Sequence, residues 1–211
     1  MLVSIVIVVS VVILAAVGWW YAVRRMFLPC PPCLIPLLEN NPYMKAVAGS
    51  SLLLDRALVE RGMTVLDVGC GPGRLAIPAA ERVGTSGLVV ALDIQEGMLR
   101  RLKERAAQRR LTNIRTVLAG AGEGAVERNR FDRAFLVTVL GEIPNKTQAL
   151  REIYDALKPE GILSVTEVIP DPLYQRPSIV QARAEEAGFR LKGVHGGMLA
   201  FTMNFGKDTD T

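Results

Sequence analysis

The chain has 211 residues, half of them apolar, with a formal net charge of +4, a pI near 9.1 and three cysteines. That charge is too weak to argue for a nucleic-acid partner. A small, odd number of cysteines excludes a disulfide framework and points to a reducing compartment for the main domain. After the apolar N-terminus about 165 residues remain, enough for one domain with a sizeable core.

Residues 1–23, MLVSIVIVVSVVILAAVGWWYAV, contain no charged side chain. At about 1.5 Å per residue, a helix of that length spans a hydrocarbon layer of about 30 Å. Trp19, Trp20 and Tyr21 fall where an interfacial aromatic belt is expected, and Arg24 and Arg25 fall where positive-inside residues are expected. No basic residue precedes the run and the run is long, which argues against a cleaved signal peptide. The expectation is a single-pass transmembrane helix over 1–25, with the lipid bilayer as a partner and the rest of the chain on the cytoplasmic side.

Residues 26–43 hold five prolines among large apolar side chains. Regular helix is broken there, yet the stretch is too apolar for a free linker, so residues 26–45 are expected to lie on the membrane surface or over the domain. Cys30 and Cys33 form a Cys-x-x-Cys. A structural zinc site needs four ligands, and only Cys70 and His195 remain, both expected elsewhere, so no metal is expected. Burial at the membrane surface is the simpler reading of the pair, with a reversible disulfide or acylation as alternatives.

The folded domain is expected over 46–206, with a polar tail at 207–211. A helix is predicted from about Met44 to Arg61, stopped by Gly62. Strands and helices then alternate. Strands are predicted at 63–69, 88–93, 114–119, 131–140 and 161–169. Helices are predicted to about Val83, over 96–110, from the Asn145 cap with Gln148 placed for a capping box, and around 178–187. The stretch FRLKGVH, a Gly-Gly turn and MLAFTMNF read as a closing hairpin. Such alternation gives an α/β fold: a Rossmann-like, seven-stranded, mostly parallel sheet with helices on both faces and a C-terminal antiparallel hairpin.

The sharpest motif is VLDVGCGPGR, Val65 to Arg74, a strand running straight into Gly69-Cys70-Gly71-Pro72-Gly73. Glycines there let a ligand approach the backbone and leave amide N–H groups to bind it. In an open parallel sheet the ligand crevice lies beyond the C-terminal ends of the strands. Arg74 stands where a dinucleotide fingerprint would place glycine. Asp93 ends the next strand, where a carboxylate can accept hydrogen bonds from both hydroxyls of a ribose.

VLDVGCGPG, VVALDIQEGML, FDRAFLVTVLGEIP and ALKPEGILSVTEV, in that order, resemble successive motifs of the class I S-adenosylmethionine-dependent methyltransferases, of the ubiquinone/menaquinone type. The resemblance covers about residues 45–205. It implies S-adenosylmethionine as cofactor. Gly69, Gly71 and Gly73 would form the floor under its methionine part, and Cys70 would line the pocket. Asp67 would lie near its amino group and Asp93 at its ribose, while Ile94 and Met98 would flank the adenine. Such enzymes often carry an adenine-binding Asp after the third strand; this chain has Gly120 and Ala121 there. Glu123, or backbone groups of Gly120 to Gly122, would have to replace it. After the fourth strand, where relatives often have a His, the chain reads Gly141-Glu142. Glu142 is the candidate for contacting substrate or acting as base. Glu167, ending the fifth strand, also points toward the crevice region, whereas His195 is expected away from it.

Seven basic residues between Arg100 and Arg115 face only Glu104, and read as a solvated helix face or a contact for anionic lipid. The loop PDPLYQRPS is short, so no large inserted lid is expected. The functional expectation is a membrane-anchored methyltransferase acting on a lipid or other apolar, membrane-resident small molecule. A nonenzymatic membrane-tethered module binding S-adenosylmethionine or a nucleotide, and a dinucleotide-dependent oxidoreductase, are the alternatives.

Overall fold

The computed structural model describes residues 41–207, together with positions 10, 11, 14, 17, 18 and 21, which are helical. The expected span over 1–25, most of the 26–45 segment with Cys30 and Cys33, and the end of the tail lie outside the described residues. Among the described residues no helix is long and apolar enough to cross a membrane.

Strands β1 (Thr64–Val68), β2 (Leu88–Asp93), β3 (Ile114–Leu118), β4 (Phe131–Val137), β5 (Leu157–Val168), β6 (Phe189–Gly197) and β7 (Ala200–Lys207) form one sheet in the order β3-β2-β1-β4-β5-β7-β6. β1 to β5 pair in parallel. β7 runs antiparallel to both of its neighbours, as the hairpin reading expected. Strand order reverses at β1, between β2 and β4, and such a switch opens a crevice at the carboxyl ends of the strands.

Helices α1 (Pro42–Ala48), α2 (Ser50–Arg56), α3 (Ala76–Val83), α4 (Glu96–Gln108), α5 (Lys146–Ala156) and α6 (Pro177–Glu186) cover both faces. The period of two in the strands sorts the side chains. Val65, Val89 and Ala91 share one core with Leu53, Leu54, Ala76, Leu99 and Leu102. Leu66, Val68, Val90 and Leu92 share the other with Leu150, Ile153, Val180 and Ala184. Apolar residues on both faces are what a central parallel strand requires.

The helix predicted over 44–61 is instead two helices. Gly49 between them is extended (φ −62°, ψ 141°), and a β-carbon there would sit 2.4 Å from the Lys45 carbonyl oxygen. The second helix stops early because the chain turns through Leu58, at φ +54°. Arg133 of β4 then holds that turn, Nε donating to the Ala57 carbonyl (2.5 Å) and a terminal nitrogen to that of Leu58 (3.2 Å). β5 begins at Leu157 rather than 161, and a register shift opposite Phe131–Arg133 absorbs the extra residues. The Gly-Gly pair ends β6, and the hairpin turns through Met198 and Leu199 instead. Asn145 caps α5 by accepting from the Gln148 N–H (3.1 Å). The Gln148 side chain meets the Asn145 side chain (2.9 Å) and donates to the Gly122 carbonyl (2.7 Å), so half of the predicted box is rerouted.

Candidate active site

β1 delivers the chain into the glycine turn at the centre of the crevice edge. Gly69 sits at φ +68°, and a β-carbon on it would fall 2.6 Å from Cγ2 of Val139. The turn leaving β4 therefore lies directly against the turn leaving β1. Gly71 differs: its φ is +52° and a β-carbon would meet nothing within 4 Å, so this residue borders open space. A side chain there would fill the crevice.

The amides of this turn are not left for a ligand, contrary to the sequence expectation. The N–H groups of Gly69 and Cys70 both donate to the Leu92 carbonyl (2.8 and 3.0 Å), and that of Gly73 to the Cys70 carbonyl (3.1 Å). The Gly71 N–H donates to Oδ2 of Asp93 (2.8 Å), whose Oδ1 accepts from the Gln95 N–H (2.8 Å). Each Asp93 oxygen keeps a further lone pair, since a carboxylate offers about four acceptor positions.

Asp67 is 2% exposed on β1, and its Oδ2 has no hydrogen-bond partner. Burial raises its pKa to about 7; Asp93 adds to the rise, while Arg74 and the Ala76 N–H oppose it. Burial, with Asp67 and Asp93, pushes the Cys70 thiol far up, so it is no thiolate nucleophile. Cys70, expected from the sequence to line the pocket, is buried in the core that holds Met44, Leu53 and Leu75.

Toward β3, Ile94 follows Asp93 and is 61% exposed, while Leu118, register partner of Asp93, is 56% exposed. Two bare apolar side chains at the crevice edge suit a planar ring. Leu118 was missed in the sequence; its signal was an apolar residue at a strand's end. Met98 is buried on α4. Gly120 and Ala121 form the turn after β3, next to Asp93, whose carbonyl accepts from the Ala119 N–H (3.2 Å). Glu123 folds back to accept from the Gly120 N–H (2.9 Å), and the Gly122 N–H donates to Glu152. The N–H groups of Gly120 and Gly122 expected to replace the missing carboxylate are thus already engaged, the first within the loop and the second with α5.

Toward β4, Thr138 occupies the left-handed region at φ +55°, a conformation unfavourable for a β-branched residue. Its N–H donates to the Thr166 carbonyl (2.8 Å), which ties the turn to β5 and sets Val139 over Gly69. Glu142 is half-buried in this turn. At Gly141 a β-carbon would lie 2.1 Å from the Leu173 carbonyl oxygen, so the short β5–α6 loop is seated on the β4 turn. Glu167 is 1% exposed; Oε2 accepts from the Gln175 N–H (3.1 Å) and Oε1 has no partner. Burial raises its pKa to about 8, with Asp171 and Glu142 adding and the Gln175 N–H and Lys146 opposing. His195 is on the outermost strand, opposite Thr202, with β4, β5 and β7 between it and the glycine turn. Among the described residues no cluster of metal-binding side chains is present.

Residues 59–195 match the family described as a methyltransferase domain. The chain belongs to this family. Nocamycin O-methyltransferase of Saccharothrix syringae is 34% identical over 120 residues, 57% of this chain and 43% of that protein. A demethylmenaquinone methyltransferase of Listeria monocytogenes is 37% identical over 106 residues, 50% of this chain and 45% of that protein. The matches thus span under half the length of these relatives. In fold, the chain superposes on a SAM-dependent methyltransferase from Aquifex aeolicus with a TM-score of 0.76 at 24% identity, covering 84% of this chain and 98% of that one. A Haemonchus contortus phosphoethanolamine N-methyltransferase, solved with S-adenosylhomocysteine, gives a TM-score of 0.59 at 24% identity, covering 68% and 38%. The chain thus carries a methyltransferase-family domain with the fold of structures solved as S-adenosylmethionine-dependent methyltransferases. Its residues fit S-adenosylmethionine: Gly71 borders open space, Asp93 holds the Gly71 N–H with lone pairs to spare, and Asp67, with an unpartnered buried oxygen, lies within electrostatic reach of Asp93.

The Glu167 carboxyl carries a pH signature. Its folded pKa lies above its unfolded value, so the folded state holds a proton that the unfolded state releases between about pH 4.5 and 8. Its contribution to stability is full below that window and is lost as pH rises through it. Glu167→Gln should be stabilised relative to the native chain increasingly toward pH 8, by on the order of 2 kcal/mol, as read from thermal unfolding at pH 5 and pH 8.

Proposed function

We propose that this chain is a membrane-anchored S-adenosylmethionine-dependent methyltransferase whose acceptor is a lipid or another apolar, membrane-resident small molecule. The observation that carries this reading is where the N-terminal segment joins the domain. The charge-free run of residues 1–23 precedes α1 in sequence, and the junction of α1 and α2 meets Arg74 at the end of the glycine turn. The Ser50 hydroxyl donates to the Arg74 carbonyl (2.6 Å), and the Arg74 guanidinium donates to that of Ala48 (3.3 Å). The α1–α2 junction, which follows the apolar segment in sequence, therefore lies beside the glycine turn. The described helical positions Val11, Leu14, Val17 and Tyr21 are exposed, which supports a lipid-facing surface. Relatives named as demethylmenaquinone methyltransferases support counting quinone-like molecules among the candidate acceptors. A tether raises the effective concentration of an enzyme at a surface its substrate cannot leave.

When bound, the cofactor supplies an electrophilic methyl group on sulfur. The chain's own residues hold and orient. Asp67 and Asp93 provide carboxylate contacts, and Gly71 keeps the floor free of a side chain, whereas Gly69 and Gly73 let the turn pack against Val139 and against Leu102 and Ile77. Ile94 and Leu118 offer apolar surface to a ring, while Met98, placed beside the adenine by the sequence, is buried. In-line displacement depends above all on placing the nucleophile, and a base is needed only if that nucleophile carries a proton. Glu142, in the turn seated against the glycine turn, is the residue proposed to contact the acceptor and take that proton. Glu167, protonated near neutral pH, holds a proton below it.

Full-length protein incubated with methyl-labelled S-adenosylmethionine and extracted membrane lipids should yield a labelled lipid-phase product, and Glu142→Gln should slow that transfer without weakening cofactor binding. Cofactor binding with no labelled product in any extract would favour the nonenzymatic module. Asp67 sets the pH dependence of binding. Its carboxyl must be charged to meet an ammonium group, and its pKa is about 7 in the free protein. Affinity for S-adenosylhomocysteine should therefore rise by up to about tenfold per pH unit on approaching pH 7 and level off above it. In Asp67→Asn the calorimetric affinity should be weaker and flat over the same range.

A further inference from the structure

The crevice edge of the sheet carries an apolar cluster that the proposed chemistry does not use. β7 begins at Ala200 opposite Val168, so the β6–β7 hairpin tip lies at the same end of the sheet as the carboxyl end of β5. Its turn residues are Met198 and Leu199, 77% and 63% exposed. Two-residue hairpin turns ordinarily take Gly, Asn or Asp, so two large bare side chains there have no local conformational reason.

The tip is held, not loose. The Ile169 N–H donates to the Leu199 carbonyl (2.8 Å), and the Tyr174 hydroxyl donates to that of Met198. A β-carbon on Gly196 would fall 2.3 Å from the Ala200 carbonyl oxygen, so the strands close tightly below the turn. Ile169 is itself exposed beside the tip. Residues 193–203 contain no Asp or Glu. Helix α1 packs at the same place: its Met44 and Ala48 share a core with Val168, and Ala200 packs against that core. The described domain thus begins, at α1, next to this cluster.

We propose that Met198, Leu199 and Ile169 form a second bilayer contact, entering the boundary between headgroups and acyl chains. This rests on the membrane-anchored reading above. A single tether fixes distance but leaves a domain free to rotate. A second, apolar contact at the crevice edge fixes orientation, turning the glycine turn and the β4 turn toward the membrane, in the way apolar faces seat peripheral proteins in an interface. A membrane-resident acceptor then reaches the crevice without leaving the lipid phase.

The test uses the full-length chain with Cys30→Ser and Cys33→Ser, leaving buried Cys70 in place. A bimane probe is attached at Leu199→Cys, or in a second protein at Met198→Cys. A control carries the probe at Gln108→Cys, exposed at the opposite end of the sheet. Each is reconstituted with vesicles of phosphatidylethanolamine and phosphatidylglycerol and recovered by flotation. The proposal expects a blue shift and loss of emission with acyl-chain nitroxide lipid at 198 and 199, and neither at 108. Co-flotation with an unshifted probe overturns the bilayer contact while leaving the anchor standing. A blue shift without quenching by nitroxide lipid also overturns it, because the tip is then covered by protein, either a second copy or residues 22–40. Failure to co-float overturns the anchored reading and this contact with it.

Discussion

The Asp93 carboxylate is the joint on which the crevice depends. One oxygen takes the Gly71 N–H and the other the Gln95 N–H, both at 2.8 Å. The adjacent Leu92 carbonyl takes the N–H groups of Gly69 and Cys70. Two consecutive residues of β2 thus suspend the whole turn leaving β1, one by its backbone and one by its charge. Hydrogen bonds to a charged acceptor are roughly twice as strong as neutral ones, so the turn is fixed before any ligand arrives. The turn also consumes its own amides in this way. What it presents to the crevice is bare glycine backbone, with carboxylate lone pairs at its margins.

Around this joint the polar atoms are sparse and deeply buried. Asp67 and Glu167 stand on neighbouring parts of the sheet's carboxyl edge, each with one oxygen unpartnered and each raised by burial into the neutral range. An unsatisfied buried oxygen costs stability, and perturbed carboxyls of this kind cluster at functional sites. Thr138 adds backbone strain at the turn between them. The carboxyl edge is therefore one place where the fold gives up stability; the cores on both faces of the sheet are mostly apolar, with an unpartnered Ser164 hydroxyl and Asn204 oxygen buried on β5 and β7.

Much of this was legible in the sequence because it follows from local pattern. Strands such as LVVALD and the glycine turn after VLDV have periodicity and chemistry that tertiary context does not override, and they put Asp67 on β1, Asp93 at the end of β2 and the three glycines in the turn after β1. Contacts between distant segments were not legible. The break at Gly49 depends on a close backbone approach, and the end of α2 on Arg133 arriving from β4. That Glu123 turns back on Gly120, and that the turn amides are already taken, are facts of three-dimensional closure. The exposed Met198–Leu199 tip looked like ordinary strand in a run of apolar residues. Its position at the crevice edge follows only from the antiparallel register of β5 and β7.

The central claim is that one crevice, built on Asp93 and the glycine turn, holds S-adenosylmethionine. Its most direct test is calorimetric titration of the full-length chain with S-adenosylhomocysteine, alongside Asp93→Ala and a parallel titration with NAD. The account predicts single-site binding of S-adenosylhomocysteine to the native chain, loss of that binding in Asp93→Ala, and no binding of NAD. Saturable binding of NAD, or undiminished binding of S-adenosylhomocysteine by Asp93→Ala, would contradict it.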